Sequence, residues 1–138
     1  MEAQHLARIG NWNWDLTNGA FDWSDEHYRI FGFEPRDPPI TPDRAWDRVH
    51  PEDRARVQDL FDRAMRDRRP YECIFRLLLD DGSVPIVQSR GRPAVNEGGE
   101  LVRMFGTIQD VTERMRTEAA LRESEERFRG TFENAAMG

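Results

Sequence analysis

The chain has 138 residues, of which 38% are hydrophobic and 33% are charged, and its formal net charge is −6. A chain of this length and composition is expected to form one soluble domain with a substantial core, together with a solvated helix. The acidic balance argues against a nucleic-acid partner, and no apolar run approaches the ~18 residues of a membrane span, which argues against direct membrane contact.

Cysteine, lysine and histidine usage narrows the chemistry further. The single cysteine, Cys73, excludes an internal disulfide and a cysteine metal cluster, which favours a cytoplasmic location. The cytosolic part of a membrane-anchored protein would have the same composition. All 20 basic residues are arginine, so phosphate-binding loops and Schiff-base chemistry that require lysine are excluded. His5, His27 and His50 are too scattered to indicate a metal site. We expect His27 at the surface or in an interface.

The first residues predict a flanking helix and a β-hairpin. Residues 2–9 fit a short helix. Apolar residues alternate in 11–16 and again in 20–24, which predicts two half-buried strands. Asn18-Gly19 lies between them and predicts a type I′ turn, because both central residues of that turn need positive φ.

Three helices are predicted after the hairpin. Ser24 is a suitable N-cap for a helix over 25–31, which Gly32 ends. Thr41-Pro42 and His50-Pro51 each place proline at a first helical position, which predicts helices over 42–49 and about 51–68. The longest of these helices has apolar residues at helical spacing: Val57, Leu60, Phe61, Ala64 and Met65.

Three strands, 71–79, 84–95 and 101–111, are predicted after the helices, with turns at Asp80–Ser83 and Asn96–Gly99. Two strands, several helices and a three-stranded meander predict an α+β domain with one antiparallel sheet and helices over one face.

The last strand leads directly into a predicted helix over about 112–132. Asp110 and Glu113 have the spacing of a capping box. Leu121 and Phe128 are seven residues apart and suggest a weak coiled-coil seam, to which Met115 adds imperfectly. A solvated helix of this kind needs a partner, because helix propensity alone is marginal.

Several motifs together resemble a bacterial PAS domain with its C-terminal PAC segment, of the PAS fold-3-like subtype. They are GNWNWD (10–15), WSDEHYRIFGFEP (23–35), VHPEDRARV (49–57), YECIFRLLLDDGSV (71–84), RGRP (90–93) and GTIQDVTER (106–114). The C-terminal residues resemble the start of a second PAS repeat. The expected organisation is a flanking helix (1–9), a PAS/PAC sensor domain (10–111), a signalling linker helix (112–129) and a truncated following PAS domain (130–138).

The resemblance implies a five-stranded antiparallel sheet in the order 2-1-5-4-3, with helices forming a cup over one face. It implies a sensory input module of a multidomain protein, of the histidine kinase or diguanylate cyclase type. A ligand or partner would act on the cup, and Asp110, Thr112 and Glu113 would pass the signal into the helix. The alternative is a ligand-free dimerisation spacer. No catalytic constellation is readable, so we expect no enzymatic activity from the domain itself.

The cofactor of such a cup is not determined by the sequence, although two common ones fit poorly. Light-sensing relatives hold flavin through a helical cysteine, whereas Cys73 lies in a predicted strand. Ile108 and Leu77 stand where those relatives have polar residues that contact flavin. Haem-binding relatives use a histidine inside the long helix, and residues 52–68 contain none.

Two further groups of residues are predicted. The predicted cavity lining is apolar: Phe31, Trp46, Val49, Phe61, Met65, Phe75, Leu77, Met104 and Ile108. Such side chains either fill the core or surround a small apolar or aromatic ligand. The predicted homodimer and coiled-coil contacts are Trp12, Ile74, Met115, Leu121 and Phe128.

Overall fold

Five strands and four helices make up the computed structural model, which describes residues 8–137 and the side chains of residues 8–129. The strands are β1 (Ile9–Asp15), β2 (Phe21–Trp23), β3 (Tyr71–Arg76), β4 (Ile86–Val95) and β5 (Leu101–Asp110). The helices are α1 (Asp25–Ile30), α2 (Pro42–Arg48), α3 (Pro51–Asp67) and α4 (Thr112–Met137). The strands form one antiparallel sheet in the order β2-β1-β5-β4-β3, which confirms the predicted topology.

One row of residues runs across the whole sheet on its inner face. Trp12 of β1 lies opposite Trp23 on one side and Gly106 on the other, and Gly106 lies opposite Gly91, which lies opposite Tyr71. Two glycines therefore meet at the centre of the sheet. A Cβ atom on Gly91 would overlap the Tyr71 ring and lie 2.9 Å from Cζ2 of Trp12. Gly91 therefore leaves the room in which these two aromatic rings lie over the sheet, whereas Gly106 lets β5 lie close to the backbone of β4.

The predicted caps position the three helices that cover this face. The side chain of Ser24 accepts a hydrogen bond from the His27 amide (3.4 Å), and that of Thr41 accepts one from the Arg44 amide (3.3 Å). His50 caps α3 through Nδ1, which accepts from the Glu52 amide at 3.2 Å. Since these side chains satisfy amides that lack partners in the first turn, each helix begins where the sequence predicts.

The first hairpin differs from the prediction. Asp15 N–H donates to the Ala20 carbonyl (2.8 Å), and Gly19 N–H donates to the Asp15 carbonyl (2.8 Å), so the loop has four residues, 16–19. Gly19 has a φ of 78°, whereas Asn18 has no positive φ, and the predicted type I′ turn is therefore wrong. Asp15 and Asn18 instead accept amide hydrogen bonds with their side chains, from Thr17 and Ala20 respectively, which stabilises the wider loop.

The N-terminal helix predicted over 2–9 falls mostly outside the described residues, and β1 already begins at Ile9. The core lies between the inner face of the sheet and α1–α3. Its buried apolar residues are Trp12, Trp23, Tyr28, Ile30, Phe31, Ile40, Val49, Val57, Ala64, Cys73, Phe75, Leu77, Val87, Met104 and Ile108. Among the described helices, none has the length and apolarity that crossing a bilayer requires.

Gly106→Ala should test the central glycine pair. A Cβ atom at this position would overlap the backbone carbonyl oxygen of Arg90, which no side-chain rotation can relieve. We expect the free energy of unfolding to fall by roughly 3 kcal/mol, the upper end of overpacking costs. Gly98→Ala is the control, because the nearest atom to its Cβ would be 3.4 Å away, and a change within about 0.5 kcal/mol is expected. Equal losses of stability in the two variants, measured by chemical denaturation, would contradict the proposed role of Gly106 in the packing of the sheet.

Candidate ligand cavity and helix junction

A cavity of about 100 Å³ lies between the inner face of the sheet and α1–α3. Its lining is predominantly aromatic. The lining residues are Trp12, Trp14, Phe21, Trp23, His27, Phe31, Pro42, Ala45, Trp46, Val49, Val57, Phe61, Tyr71, Phe75, Ser89 and Ile108. The cavity is smaller than the ~300–1,000 Å³ pockets that hold drug-sized ligands, so most of the cup is filled by side chains.

The structure brings six of the nine predicted cavity residues to the lining: Phe31, Trp46, Val49, Phe61, Phe75 and Ile108. The other three do not border the cavity. Leu77 and Met104 are completely buried and fill the core beside it. Met65 is half-buried and lies one turn beyond Phe61 on α3. A sequence pattern identifies which residues point inward, but it does not tell a residue that fills space from one that borders a gap.

The first hairpin contributes four aromatic lining residues that the predicted lining lacks: Trp12, Trp14, Phe21 and Trp23. Trp12 was predicted to lie at a dimer surface, but only 7% of it is exposed. It therefore offers no free surface to a second subunit, and we remove it from the predicted dimer contacts. The alternation in β1 carries the missing signal, because Trp12 and Trp14 share one phase and so point to the same inner face.

Phe61 of α3 is the centre of the aromatic lining. Its ring lies 6.0 Å from that of Trp14 in a stacked arrangement and 6.2 Å from that of Trp12, measured between centroids. The rings of Tyr71 and Trp46 approach its edge at 5.7 and 6.3 Å. Pairs of this geometry add roughly 0.5–1.5 kcal/mol each beyond their buried area, so the lining is held rigidly.

The polar groups at the cavity are few and uncharged. His27 was expected at the surface, but it is 3% exposed because Gly10 lets α1 approach β1 so closely that a Cβ there would lie 2.6 Å from the His27 Cα. Its ring stacks on Trp23 at 3.8 Å. Burial lowers the pKa of His27 to about 3, so the imidazole is neutral at pH 7. Its Nδ1 has no hydrogen-bond partner among the described residues.

The two hydroxyl groups at the cavity are paired with each other. The hydroxyl groups of Tyr71 and Ser89 share a hydrogen bond of 3.0 Å. Burial raises the pKa of the Tyr71 phenol, so it also stays neutral. Ser89 and Tyr71 were absent from the predicted lining. Alternation along a strand indicates which way a side chain points, but it does not show that there is space beside that side chain.

Neither flavin nor haem fits the residues around the cavity. Cys73 points into the core without bordering the cavity, and burial raises its pKa to about 11, which keeps the thiol protonated and unreactive. Ile108 borders the cavity and has no hydrogen-bonding group. The volume of about 100 Å³ is also far below that of a flavin or a haem.

An ion pair holds α3 over the cavity. Oδ2 of Asp53 accepts from the backbone amide of Arg76 (2.8 Å) and from its Nε (3.1 Å), and Oδ1 accepts from Nη2 (2.8 Å). These bonds tie the first turn of α3 to the end of β3. The hydrogen bonds from Arg76 lower the pKa of Asp53 to about 2. Because α3 carries the lining residues Val57 and Phe61, this contact positions one wall of the cavity.

The start of α4 is bonded to two adjacent strands. Val111 N–H donates to the Ile86 carbonyl (2.8 Å), and Ile86 N–H donates to the Thr112 hydroxyl (2.8 Å). Asp110 Oδ1 accepts from the Thr112 amide (2.9 Å). Arg8 adds two exposed contacts, to Asp110 at 3.4 Å and to Glu26 of α1 at 3.2 Å. The helix therefore leaves the sheet through a hydrogen-bonded junction of β4 and β5.

The predicted capping box of Asp110 and Glu113 does not form. Asp110 Oδ1 accepts from the Thr112 amide, two residues along, whereas a capping box uses the amide three residues along. The amide of Asp110, which Glu113 would reach in a capping box, donates instead to the Arg8 carbonyl at 3.1 Å as part of the sheet, and Glu113 is exposed.

Beyond this junction α4 projects into solvent. Every residue from Arg116 to Arg129 is exposed, and the apolar side chains of Leu121 and Phe128 are 58% and 73% exposed. Met115 is half-buried near the junction. Ile74 is half-buried on the outer face of the sheet, opposite Gln88.

Comparisons with known proteins agree with the topology. The family described as the PAS fold matches residues 20–108. A sensory box histidine kinase/response regulator from Burkholderia thailandensis superposes with a TM-score of 0.72 at 37% identity, over 93% of this chain and 95% of that one.

Two curated relatives are much longer proteins. The chain is 27% identical over 134 residues to the probable diguanylate cyclase DgcE of Escherichia coli, covering 96% of this chain and 12% of that protein. It is 33% identical over 114 residues to the blue-light-activated histidine kinase of Brucella abortus, covering 83% and 22% respectively. The chain thus spans about an eighth of the length of the first relative and less than a quarter of the length of the second.

Asp53→Asn should destabilise the domain in a pH-dependent way. The pKa of Asp53 is lower in the folded state than in the unfolded state, so its charge stabilises the fold above about pH 5, and this contribution disappears as the pH falls from about 4 to about 2. We expect a loss of about 2 kcal/mol at pH 7 that shrinks towards zero near pH 2. Asp59→Asn is the control, since its pair with Arg63 on the same helix is exposed. A pH-independent difference in urea unfolding would refute the ion-pair explanation.

Proposed function

The chain belongs to the PAS family, and from this premise we propose that it is the sensory input module of a longer signalling protein, in which the state of the cavity is relayed through α4 to an output domain. The output would be of the histidine kinase or diguanylate cyclase type, as in the relatives. We propose a cytoplasmic position for the domain and no enzymatic activity of its own.

One observation carries the proposal: two of the strands that line the cavity, β4 and β5, reach the junction with α4 within a few residues of their lining side chains. Ile108 of β5 lines the cavity and lies four residues before Thr112, the first residue of α4. Ser89 of β4 also lines the cavity and lies three residues after Ile86, which bonds Thr112. A change in the cavity that moves either strand therefore acts on the start of the helix. Asp110 and Thr112 are the proposed transmission residues, whereas Glu113 makes no cap and would act, if at all, through its exposed charge.

The exposed helix supports a homodimer. Residues 116–129 are all exposed, and a helix this solvated gains most of its stability from a partner. Leu121 and Phe128 are seven residues apart, so a second copy of α4 would bury both on one seam, which Met115 adjoins imperfectly. Ile74 on the outer face of the sheet is a further proposed contact. We propose 112–129 as the signalling linker and 130–138 as the start of a following PAS domain.

A ligand-free dimerisation spacer is the second candidate function, and the small size of the cavity favours it. Experiments on the purified chain can distinguish the sensor from the spacer. Native mass spectrometry and an absorption spectrum of the purified protein would show a bound mass or chromophore if it is a loaded sensor. An empty dimer that no small molecule stabilises would support the spacer.

Inserting residues into α4 of the full-length protein should change its output in a periodic way. One residue inserted between 115 and 127 rotates everything downstream by ~100°, whereas seven restore the original face almost completely. We expect the output activity to be deregulated by insertions of one to three residues and to recover with seven. The folded state of the domain, checked by circular dichroism, should not change. An output activity that does not change with the length of the insertion would exclude relay through this helix.

Thr112→Val should weaken the junction without unfolding the domain. Valine keeps the shape of threonine but cannot accept the Ile86 amide hydrogen bond, which is worth about 1 kcal/mol. We expect the Ile86 amide to exchange its hydrogen at least about fivefold faster, and the output of the full-length protein to lose its response to signal. Thr117→Val is the matched control, because Thr117 is exposed on the same helix. If the Ile86 amide exchanges faster in Thr112→Val but both variants still respond normally to signal, the junction has no role in the relay.

A further inference from the structure

We propose that the cavity binds a small uncharged aromatic molecule of about one ring that carries one hydrogen-bonding group, of which phenol is the simplest representative. His27 would contact that group. The proposal names a ligand class for the sensory site and rests on the function proposed above.

The size of the cavity sets the size of the ligand. An engineered apolar cavity of about 150 Å³ binds benzene, whereas drug-sized ligands occupy ~300–1,000 Å³. The volume of about 100 Å³ found here therefore suits a single ring with small side-chain adjustments. The aromatic rings around Phe61 favour a flat ligand, because they offer ring faces and edges at stacking distances.

The charge of the cavity excludes ionic ligands. No Asp, Glu or Arg side chain lines it, and the two titratable lining groups, His27 and Tyr71, are neutral. A carboxylate or an ammonium group would lose its hydration and find no partner of opposite charge, which costs several kcal/mol in real proteins.

The unpaired Nδ1 of His27 is the reason for a polar group on the ligand. Tyr71 and Ser89 already satisfy each other, whereas Nδ1 of the buried His27 has no partner in the described part of the chain. A buried polar atom left unbonded is costly, so a ligand that completes this hydrogen bond gains affinity over one of the same shape that cannot.

The half-buried lining residues indicate where a ligand would enter. Trp14 and Phe21 of the hairpin and Ala45 and Trp46 of α2 are all half-buried, whereas Trp12 and Ile108 are buried. A ligand would therefore enter at the edge between the hairpin and α2.

NMR titration of the chain with phenol, toluene and benzoate tests this proposal. We expect phenol and toluene to shift the methyl signals of Val57 and Ile108 saturably while the exposed Val95 stays unchanged, and benzoate to have no effect. Phenol, but not toluene, should also shift the imidazole ¹⁵N signals of His27. In His27→Phe the ratio of phenol to toluene affinity should fall about tenfold. If that variant does not fold, the ¹⁵N shifts of His27 in the wild-type protein still test whether His27 contacts the ligand.

Blocking variants locate the binding. Ala45→Leu extends a side chain into the cavity and should abolish binding of both rings, whereas Ala120→Leu makes the same change on exposed α4 and should leave binding intact. The proposal is overturned if neither ring binds saturably, if benzoate binds at the same signals, or if the His27 signals ignore phenol. These failures are distinct from failure of the relay, because the Thr112→Val and insertion tests need no ligand.

Discussion

Two glycines meet at the centre of the sheet, and the packing of its inner face follows from them. Gly91 of β4 faces Gly106 of β5; the missing side chain of Gly91 leaves room for the rings of Trp12 and Tyr71 to lie against the sheet, and that of Gly106 lets the two strand backbones lie close together. Those rings in turn surround Phe61 of α3 and complete the aromatic lining. Without this gap the aromatic residues would have to tilt away from the sheet, and no cavity of this shape would form.

The cavity and the helix share two strands, and the proposed coupling depends on this. β4 and β5 each contribute a lining residue and, within a few residues of it, a hydrogen bond at the start of α4. A hydrogen-bonded sheet resists stretching and sliding, so a displacement at Ile108 would be carried to Thr112. Beyond the junction the described side chains of α4, from Arg116 to Arg129, are exposed.

The electrostatics of the domain separate into two regions. The ion pairs of Asp53 with Arg76 and of Arg8 with Asp110 lie at the edges, where they hold α3 and the N-terminal segment to the ends of the strands. The cavity contains only neutral groups, since burial keeps His27 and Tyr71 uncharged. Rigid charged anchors outside and a neutral aromatic interior suit a site that responds to packing rather than to charge.

The order, type and approximate bounds of the elements follow from the sequence alone, because alternation, helical spacing and capping residues are local properties. Phase also placed inward the predicted cavity residues Phe75 of β3 and Ile108 of β5, which line the cavity. Prediction from the sequence failed where the answer depends on residues far apart in the chain. His27 looked like a surface residue on a short helix until Gly10 of a different element allowed it to be buried, and Trp12 looked available to a partner until its ring proved to lie against the inner face. Asp110 was predicted to form a full capping box, but its amide is used by Arg8 across the sheet. Only the tertiary structure decided which inward residues leave a gap between them, since a cavity is a property of how several elements pack together and no single segment encodes it.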